Sequence, residues 1–254
     1  MGQFTRYVAL GDSFTEGVGD PDPARANGLR GWADLVAEQL AAHSADFTYA
    51  NLAVRGRLLG PILDEQIEPA LAMNPDLVTI YAGGNDLMRP KVDVDALVAR
   101  YDAAIGRLAR GGATVALWTA YDAGWSPVFG KLRGRLAIYN ELVREVADRH
   151  GAVLVDFWRF AEYEDYRMWD WDRLHMSPLG HRTMAARVLD ALAVEHSLEP
   201  VVLEQQAPQA KADVRRADLM WARDFLLPWI GRRLRGTSSG DGIAPRRPEL
   251  APLG

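Results

Sequence analysis

The chain has 254 residues, of which 48% are hydrophobic and 25% charged, a balance typical of an ordinary soluble globular protein with a sizeable core. Its net charge is -5, so no overall positive charge attracts nucleic acid or an anionic membrane surface, and no nucleic-acid partner is expected. The chain contains no cysteine, which excludes disulfides, thiolate metal sites and cysteine nucleophiles.

The N-terminus leads directly into a predicted core strand. Residues 1–13 read MGQFTRYVALGDS, which leaves no space for the charged, apolar and cleavage regions of a signal peptide. A cytoplasmic location is therefore expected. No apolar run approaches the roughly 20 residues that a membrane-spanning helix needs. The sequence thus predicts no transmembrane segment.

Short β-branched runs alternate along the chain with longer segments of helical periodicity. The predicted strands are Tyr7–Leu10, Thr48–Leu52, Leu77–Ala82, Thr114–Thr119 and Val153–Phe157. Helical spacing is seen in Leu97, Tyr101, Ile105 and Leu108, and again in Leu132, Leu136, Tyr139, Val143 and Val146. Helix C-caps are predicted at Gly111, Gly112 and Gly151. This alternation predicts an α/β fold, a three-layer α/β/α sandwich with a central parallel sheet.

A last core helix is predicted after Pro178, with Ala185, Val188 and Leu189 on one face. It completes the core, so residues 1–197 are predicted to form one domain. Residues 198–236 form a C-terminal extension of different composition. Residues 237–254 are rich in Gly, Pro and Ser and are expected to be a disordered tail.

The extension contains an amphipathic stretch, Asp213–Leu234, whose apolar residues are flanked by arginines. One interpretation is an amphipathic membrane anchor. The other is a helix docked on its own domain or on a second subunit, which leaves a homo-oligomer through this helix open. Docking is favoured because acidic residues interrupt the basic charge and Pro228 is expected to break the helix.

Residues able to carry chemistry follow the first predicted strand and precede the last predicted helix. Ser13 stands at the carboxyl end of the first strand, where α/β folds place their sites. A serine nucleophile needs a base, and the base needs an orienting group. Asp172 and His175 share one loop and can supply both. Solvated positions near helix ends are expected for the histidines His43, His150 and His196, and His181 is expected on a helix face near the site.

Four short blocks occur in order along the chain: GDSFTEG at 11–17, NLAVRG at 51–56, GGND at 83–86 and DRLH at 172–175. Together they resemble the signature blocks of the SGNH (GDSL) hydrolase family, and the resemblance covers roughly residues 4 to 196. It implies a flavodoxin-like SGNH hydrolase fold, with residues 1–197 as the catalytic domain.

The resemblance also implies roles for individual residues. Ser13 corresponds to the nucleophile, His175 to the base and Asp172 to the residue that orients the base. The backbone N–H groups of Ser13 and Gly56 and the side-chain amide of Asn85 correspond to the oxyanion hole. These roles agree with elementary chemistry, because fixed neutral donors stabilise a developing oxyanion and glycine allows close backbone approach.

Other sites that use these residue types fit the sequence less well. A nucleophile elbow, G-x-S-x-G, is absent because Thr15 stands where its second glycine belongs. The first strand is not followed by the G-x-G-x-x-G of dinucleotide binding. A metal hydrolase using Asp172, His175 and His181 is a minor alternative, because no recognised ligand spacing accompanies them. No metal and no cofactor are therefore predicted.

The predicted function is hydrolysis of a small O-acyl ester, such as an acetyl ester, through an acyl-enzyme. The preference for a small substrate reflects the lack of a strongly apolar lid and the polar segment 19–28. An acyl thioesterase, a lysophospholipase or an acyltransferase using the same triad stays open. The aromatic residues before the catalytic loop are expected either to wall the pocket or to lie in the core: Trp158, Phe160, Tyr163, Tyr166, Trp169 and Trp171.

Overall fold

The structure, a computed structural model, describes residues 4–199, 201, 203–204 and 210–253. Its sheet has the strand order β5-β4-β3-β1-β2-β6, in which β1 to β5 are parallel and β6 is antiparallel to β2. The strands are β1 (Arg6–Gly11), β2 (Thr48–Asn51), β3 (Leu77–Tyr81), β4 (Thr114–Trp118), β5 (Val153–Val155) and β6 (Arg247–Ala251). All five predicted strands are thus confirmed to within two residues at each end.

Helices connect the strands and cover the sheet. They are α1 (Ser13–Glu16), α2 (Gly31–Ala41), α3 (Leu59–Ala72), α4 (Gly84–Leu87), α5 (Val94–Arg110), α6 (Arg133–His150), α7 (Pro178–Ala191), α8 (Lys211–Trp221) and α9 (Leu227–Leu234). A π-helical segment, Ala222–Leu226, joins α8 to α9. Short 3₁₀ segments occupy Ala26–Gly28, Ala123–Trp125, Phe129–Leu132, Phe157–Arg159, Ala161–Glu164 and Tyr166–Met168.

The helix ends follow local sequence signals. Asp93 caps α5 by accepting a hydrogen bond from the Ala96 N–H, and Gly111 ends that helix. Gly151 ends α6 in the left-handed conformation, with φ of 62°. Ser177 caps α7, with Pro178 as the first helical residue. The predicted C-terminal ends of α5 at Gly111 and of α6 at Gly151 are confirmed, as is the predicted start of α7 at Pro178.

The strands alternate their side chains between two apolar clusters, one on each face of the sheet. Val8 and Leu10 point to the cluster that α3, α5 and α6 cover. Tyr7 and Ala9 point to the cluster that α2 and α7 cover. This period of two buries both faces of the sheet. The predicted three-layer α/β/α sandwich is confirmed, and the order of β1 to β5 is that of flavodoxin-like folds.

The C-terminal residues differ from the predicted disordered tail. Arg247–Ala251 forms β6 and pairs with β2, with Tyr49 opposite Ala251 and Asn51 opposite Arg247. Just before this strand, the Arg246 guanidinium is buried against the Asp34 carboxylate at 2.8 Å. The free edge of β2 and a buried carboxylate supply partners that lie about 200 positions earlier, so local composition carries no signal for them.

The C-terminal helix pair lies against the loop that holds Asp172 and His175. The Trp221 indole N–H donates to the Asp172 carbonyl at 2.7 Å, and Arg173 pairs with Asp218 at 2.7 Å. The helix is not broken at Pro228, which is the second residue of α9 and follows the π-helical segment. Within the described residues, no helix has the length and apolar character to span a membrane.

Candidate active site

Ser13 is the first residue of α1, directly after β1. Gly11 ends the strand with φ of +142°, and a Cβ there would lie 2.5 Å from the Tyr81 carbonyl oxygen, so this turn requires glycine. Asp12 then caps α1 by accepting the Phe14 N–H at 3.1 Å. The serine therefore lies at the carboxyl edge of the sheet. There β1 and β3 form the switch point at which ligands bind in open α/β sheets.

Asp172 and His175 form a hydrogen-bonded pair within one tight turn. The His175 Nδ1–H donates to the Asp172 Oδ2 at 2.6 Å, and the backbone N–H groups of Leu174 and His175 donate to Oδ1 at 2.9 Å. Burial acts to raise the pKa of Asp172, but these hydrogen bonds outweigh it and hold the pKa below its usual range. The carboxylate is thus charged and fixed, which leaves the Nε2 of His175 as the ring atom available for proton transfer.

Asn85 lies in the turn after β3, which Gly83 opens with φ of +90°. Its Nδ2 donates to the Asp12 Oδ2 at 2.9 Å and to the Arg57 carbonyl at 3.1 Å. Two elements therefore fix the direction of the Asn85 amide. Asp86, the next residue, caps α3 by accepting the Leu59 N–H at 2.8 Å.

Gly56 lies in a loop that is anchored by the ion pair between Glu16 and Arg55. The Glu16 carboxylate is fully buried and accepts from both the backbone N–H and the guanidinium of Arg55. Gly56 itself has φ of +77°, and a Cβ at this position would approach the Ser238 Oγ to 2.0 Å. The positive φ is the reason that glycine is needed here, and the lack of a Cβ also leaves space for the Ser238 side chain.

Asp12 is a site residue to which the sequence analysis assigns no role. Its carboxylate links the start of α1, through Phe14, to the amide of Asn85. Burial raises the pKa of this carboxyl to about 6, while the Phe14 N–H opposes the rise. The sequence feature that could have indicated a role for Asp12 is its position next to Ser13 in the first signature block. Its contact with Asn85 joins residues 73 positions apart.

Two cavities meet at these residues. Ser13, Asn85, Leu174 and His175 line both of them. The first, the apolar cavity, has a volume of about 90 Å³ and is mostly aromatic and aliphatic. Its further lining comprises Asp12, Phe14, Tyr81, Gly84, Met88, Ala120, Tyr121, Phe129, Leu132, Leu136, Phe157, Trp169 and Met176. The second, the polar cavity, has about 140 Å³ and opens between Gly56 and the C-terminal residues 225–239.

His181 and the aromatic residues that precede Asp172 were also singled out in the sequence, and most of those described next make packing or hydrogen-bond contacts within the fold. His181 is fully buried on α7, accepts the Trp32 N–H at Nδ1 and donates from Nε2 to the Val18 carbonyl. Burial lowers its pKa to about 4. The aromatic group splits: Trp169 lines the apolar cavity, Tyr163 lies in the core, and Trp171 is 64% exposed and contacts Phe225.

Comparison of the sequence with known families assigns the chain. The profile of the GDSL-like lipase/acylhydrolase family matches residues 9–183, more than half of the chain. The protein belongs to this family. It is therefore a hydrolase of ester bonds. The match contains all four signature blocks, whereas the C-terminal extension of this GDSL-like hydrolase lies outside it. Among curated protein sequences no significant match is found.

Solved structures share the fold of this GDSL-like hydrolase. LAE5, described as an alpha/beta hydrolase enzyme from the metagenome of Lake Arreo, Spain, is 24% identical with a TM-score of 0.63, covering 76% of this chain and 97% of its own. Axe2, an acetylxylan esterase from Geobacillus stearothermophilus, is 20% identical with a TM-score of 0.61, covering 77% and 98%. The psychrotrophic esterase EstA from Pseudoalteromonas sp. is 19% identical with a TM-score of 0.57, covering 74% and 96%.

Proposed function

We propose that the protein hydrolyses a carboxylic ester with Ser13 as the nucleophile, His175 as the base and Asp172 as the residue that orients His175. The observation that carries this proposal is the Asp172–His175 pair, whose imidazole lines the same two cavities as Ser13 and Asn85. Ser13 Oγ attacks the ester carbonyl and gives its proton to His175 Nε2. His175 then protonates the departing alcohol, and a water molecule activated in the same way releases the acid.

The oxyanion of the tetrahedral intermediate is proposed to accept from the N–H groups of Ser13 and Gly56 and from Asn85 Nδ2. Before substrate binds, both hydrogens of this amide are donated, to Asp12 and to the Arg57 carbonyl. The bond to Arg57 is the longer of the two, at 3.1 Å. We expect the oxyanion to take that hydrogen, because a charged acceptor forms the stronger hydrogen bond.

The acyl group is proposed to occupy the apolar cavity. Most of its lining is aromatic or aliphatic, and Asp12, Tyr81 and Tyr121 are its polar members beyond Ser13, Asn85 and His175, so an aliphatic chain gains from burial there. A volume of about 90 Å³ fits an acyl group of a few carbons better than a long fatty chain. This extends the predicted acetyl ester to short aliphatic acyl esters. Acyl thioesters share this acyl side and are the second candidate class.

Covalent labelling of the nucleophile tests the proposed mechanism. A fluorophosphonate probe should modify Ser13, because an activated serine attacks phosphorus and displaces fluoride as it would attack a carbonyl. Peptide mass spectrometry locates the adduct. The Ser13→Ala protein, as control, should remain unlabelled. Labelling at another serine, or no labelling of the folded wild-type protein, contradicts the assignment.

The acyl preference is tested with p-nitrophenyl esters of increasing chain length and with matched acyl thioesters. We expect kcat/KM to reach its maximum at a short chain and to fall for long chains that exceed the apolar cavity. A maximum with long chains contradicts the proposed substrate size. A clear preference for thioesters replaces the ester proposal with the second candidate class.

A further inference from the structure

The segment formed by α8, the π-helical residues and α9, here called the C-terminal helix, has one face that lines the polar cavity. Phe225, Trp229 and Arg232 all line it, and their spacings of four and three residues place them on a single helical face. The following turn, residues 236–239, closes the cavity beside Gly56. The family match ends at residue 183, so this wall is built by a part of the chain that the match does not cover.

The lining of the polar cavity is positively charged. As far as the structure describes it, its lining contains two arginines, Arg89 and Arg232, and no carboxylate. Neither guanidinium forms a hydrogen bond or an ion pair within the described residues. Other arginines close to the site have partners, since Arg57 pairs with Glu65 and Arg173 with Asp218.

Asp86 is a carboxylate that interacts electrostatically with Arg89. Burial raises its pKa, while the Leu59 N–H and the positive charges of Arg89 and Arg100 oppose the rise. Its Oδ2 is already occupied by the Leu59 N–H at 2.8 Å, and the residue does not line the polar cavity. It therefore does not act as the counter-ion inside this cavity.

The two cavities meet at Ser13, Asn85 and His175, so a bound ester has its carbonyl carbon at the junction. An acyl group in the apolar cavity directs the alcohol group of the same ester into the polar cavity. Thr237, Ser238 and Ser239 also line that side. The side of the site that receives the alcohol is thus positive and rich in hydrogen-bond donors.

We propose that the polar cavity is a subsite for an anionic group, a phosphate or a carboxylate, that is bound by Arg89 and Arg232. Building on the proposed function, this group belongs to the alcohol part of the ester, and Phe225 and Trp229 flank the rest of that part. Planar guanidinium groups suit both anions, because each presents paired N–H donors to paired oxygens. The C-terminal helix is then a determinant of substrate choice as well as a cover for the site.

Binding of ligands that contain no carboxylic ester tests the subsite on the full-length protein. Phenyl phosphate, benzoate and neutral benzyl alcohol are titrated by calorimetry at low ionic strength, where charge interactions are screened least. We expect at least one anion to bind at least tenfold more tightly than benzyl alcohol. Comparison of the two anions distinguishes a phosphate subsite from a carboxylate subsite.

Arginine variants locate the binding. Arg89→Gln and Arg232→Gln should each weaken binding of the preferred anion at least tenfold. Arg223→Gln is the matched control, because Arg223 lies in the same helix, pairs with Asp224 and does not line the cavity. It should leave the affinity unchanged. Equal binding of all three ligands, or unchanged affinity in both cavity variants, overturns the subsite.

The outcomes separate this subsite from the proposed mechanism. Arginine-dependent anion binding by a protein that fluorophosphonate does not label at Ser13 supports the subsite and contradicts the proposed function. Labelling of Ser13 without any anion preference supports the proposed function and overturns the subsite.

Discussion

Single residues in the candidate site are held by hydrogen bonds that exist before any substrate arrives. Asp12 illustrates this, because one of its carboxylate oxygens caps α1 and the other orients the Asn85 amide. A fixed donor is worth more to catalysis than a mobile one, since it does not have to reorganise as negative charge develops. Asp12 is thus expected to act through Asn85 as a positioning residue.

The first prediction at this scale concerns Asn85→Ala. Removal of one oxyanion donor typically lowers kcat by about 10² to 10³, and we expect a loss in that range with little change in KM. Steady-state kinetics on a short p-nitrophenyl ester measures it. Circular dichroism and fluorophosphonate labelling of Ser13 serve as controls that the fold and the nucleophile persist. An unchanged kcat would remove Asn85 from the site.

Among the elements, α7 follows the loop that holds Asp172 and His175 and contacts α2 through a buried histidine. His181 accepts a hydrogen bond from the first turn of α2, at the Trp32 N–H, and donates to the Val18 carbonyl just after α1. Its role is structural in this arrangement. Because burial lowers the pKa of His181 to about 4, from 6.5 when it is exposed, the histidine stays neutral in the fold at mildly acidic pH.

This shift predicts acid lability. Between pH 6.5 and about 4 the unfolded chain binds a proton at position 181 that the folded protein does not, so stability falls as the pH falls through this window. The slope is about 1.4 kcal/mol per pH unit, or about 3 kcal/mol over the window. His181→Gln should flatten this part of the pH dependence, as measured by urea unfolding between pH 7 and pH 4.

The control for His181 is His43→Gln, because His43 is exposed and its ring is hydrogen-bonded to the Glu195 carbonyl. This variant should keep the wild-type pH dependence. If His181→Gln loses stability on acidification as steeply as the wild-type protein does, the buried histidine is not the source of the acid lability.

At the scale of the whole molecule, the C-terminal residues pack against elements from the N-terminal part of the chain, β2 and α2. Residues between 225 and 239 line the polar cavity of the candidate site, and residues 247–251 then join the free edge of β2. The Arg246 guanidinium contacts the Leu29 and Arg30 carbonyls and the Asp34 carboxylate, which also accepts from the Tyr49 hydroxyl. Both charged side chains are only 1% exposed. This ion pair fastens the C-terminus to α2.

Removal of one member of this pair should be costly. Arg246→Met leaves the buried Asp34 carboxylate with only the more distant, partly exposed Arg25 guanidinium at 3.8 Å. Removing one partner of a buried ion pair typically costs about 3 to 5 kcal/mol of unfolding free energy, and we expect a loss near the lower end. Chemical denaturation measures the loss. The double variant Asp34→Asn/Arg246→Met should recover much of it, because the unpaired charge is gone. Arg159→Met, at an exposed arginine, is the control and should change stability by less than about 1 kcal/mol.

Sequence patterns that span only a few residues were sufficient to predict much of the secondary structure and of the candidate site. Strands and helix ends are set by periodicity of two or 3.6 residues and by caps such as Asp93, Gly151 and Ser177, all of which act over a few positions. The pairing of Asp172 with His175 spans three residues and is equally local. The four signature blocks are short enough to be read directly. The three-layer fold and the candidate nucleophile, base and amide were therefore predictable.

Contacts between distant parts of the chain were not predictable in this way. Asp12 with Asn85, Asp34 with Arg246 and the Asp172 carbonyl with Trp221 are separated by 73, 212 and 49 positions. Each pairing depends on how the layers close, and no residue's own neighbourhood specifies its partner. The Gly-, Pro- and Ser-rich tail thus forms a strand because the free edge of β2 and the buried Asp34 carboxylate provide its binding partners. The same closure brings Arg232 to the wall of the polar cavity.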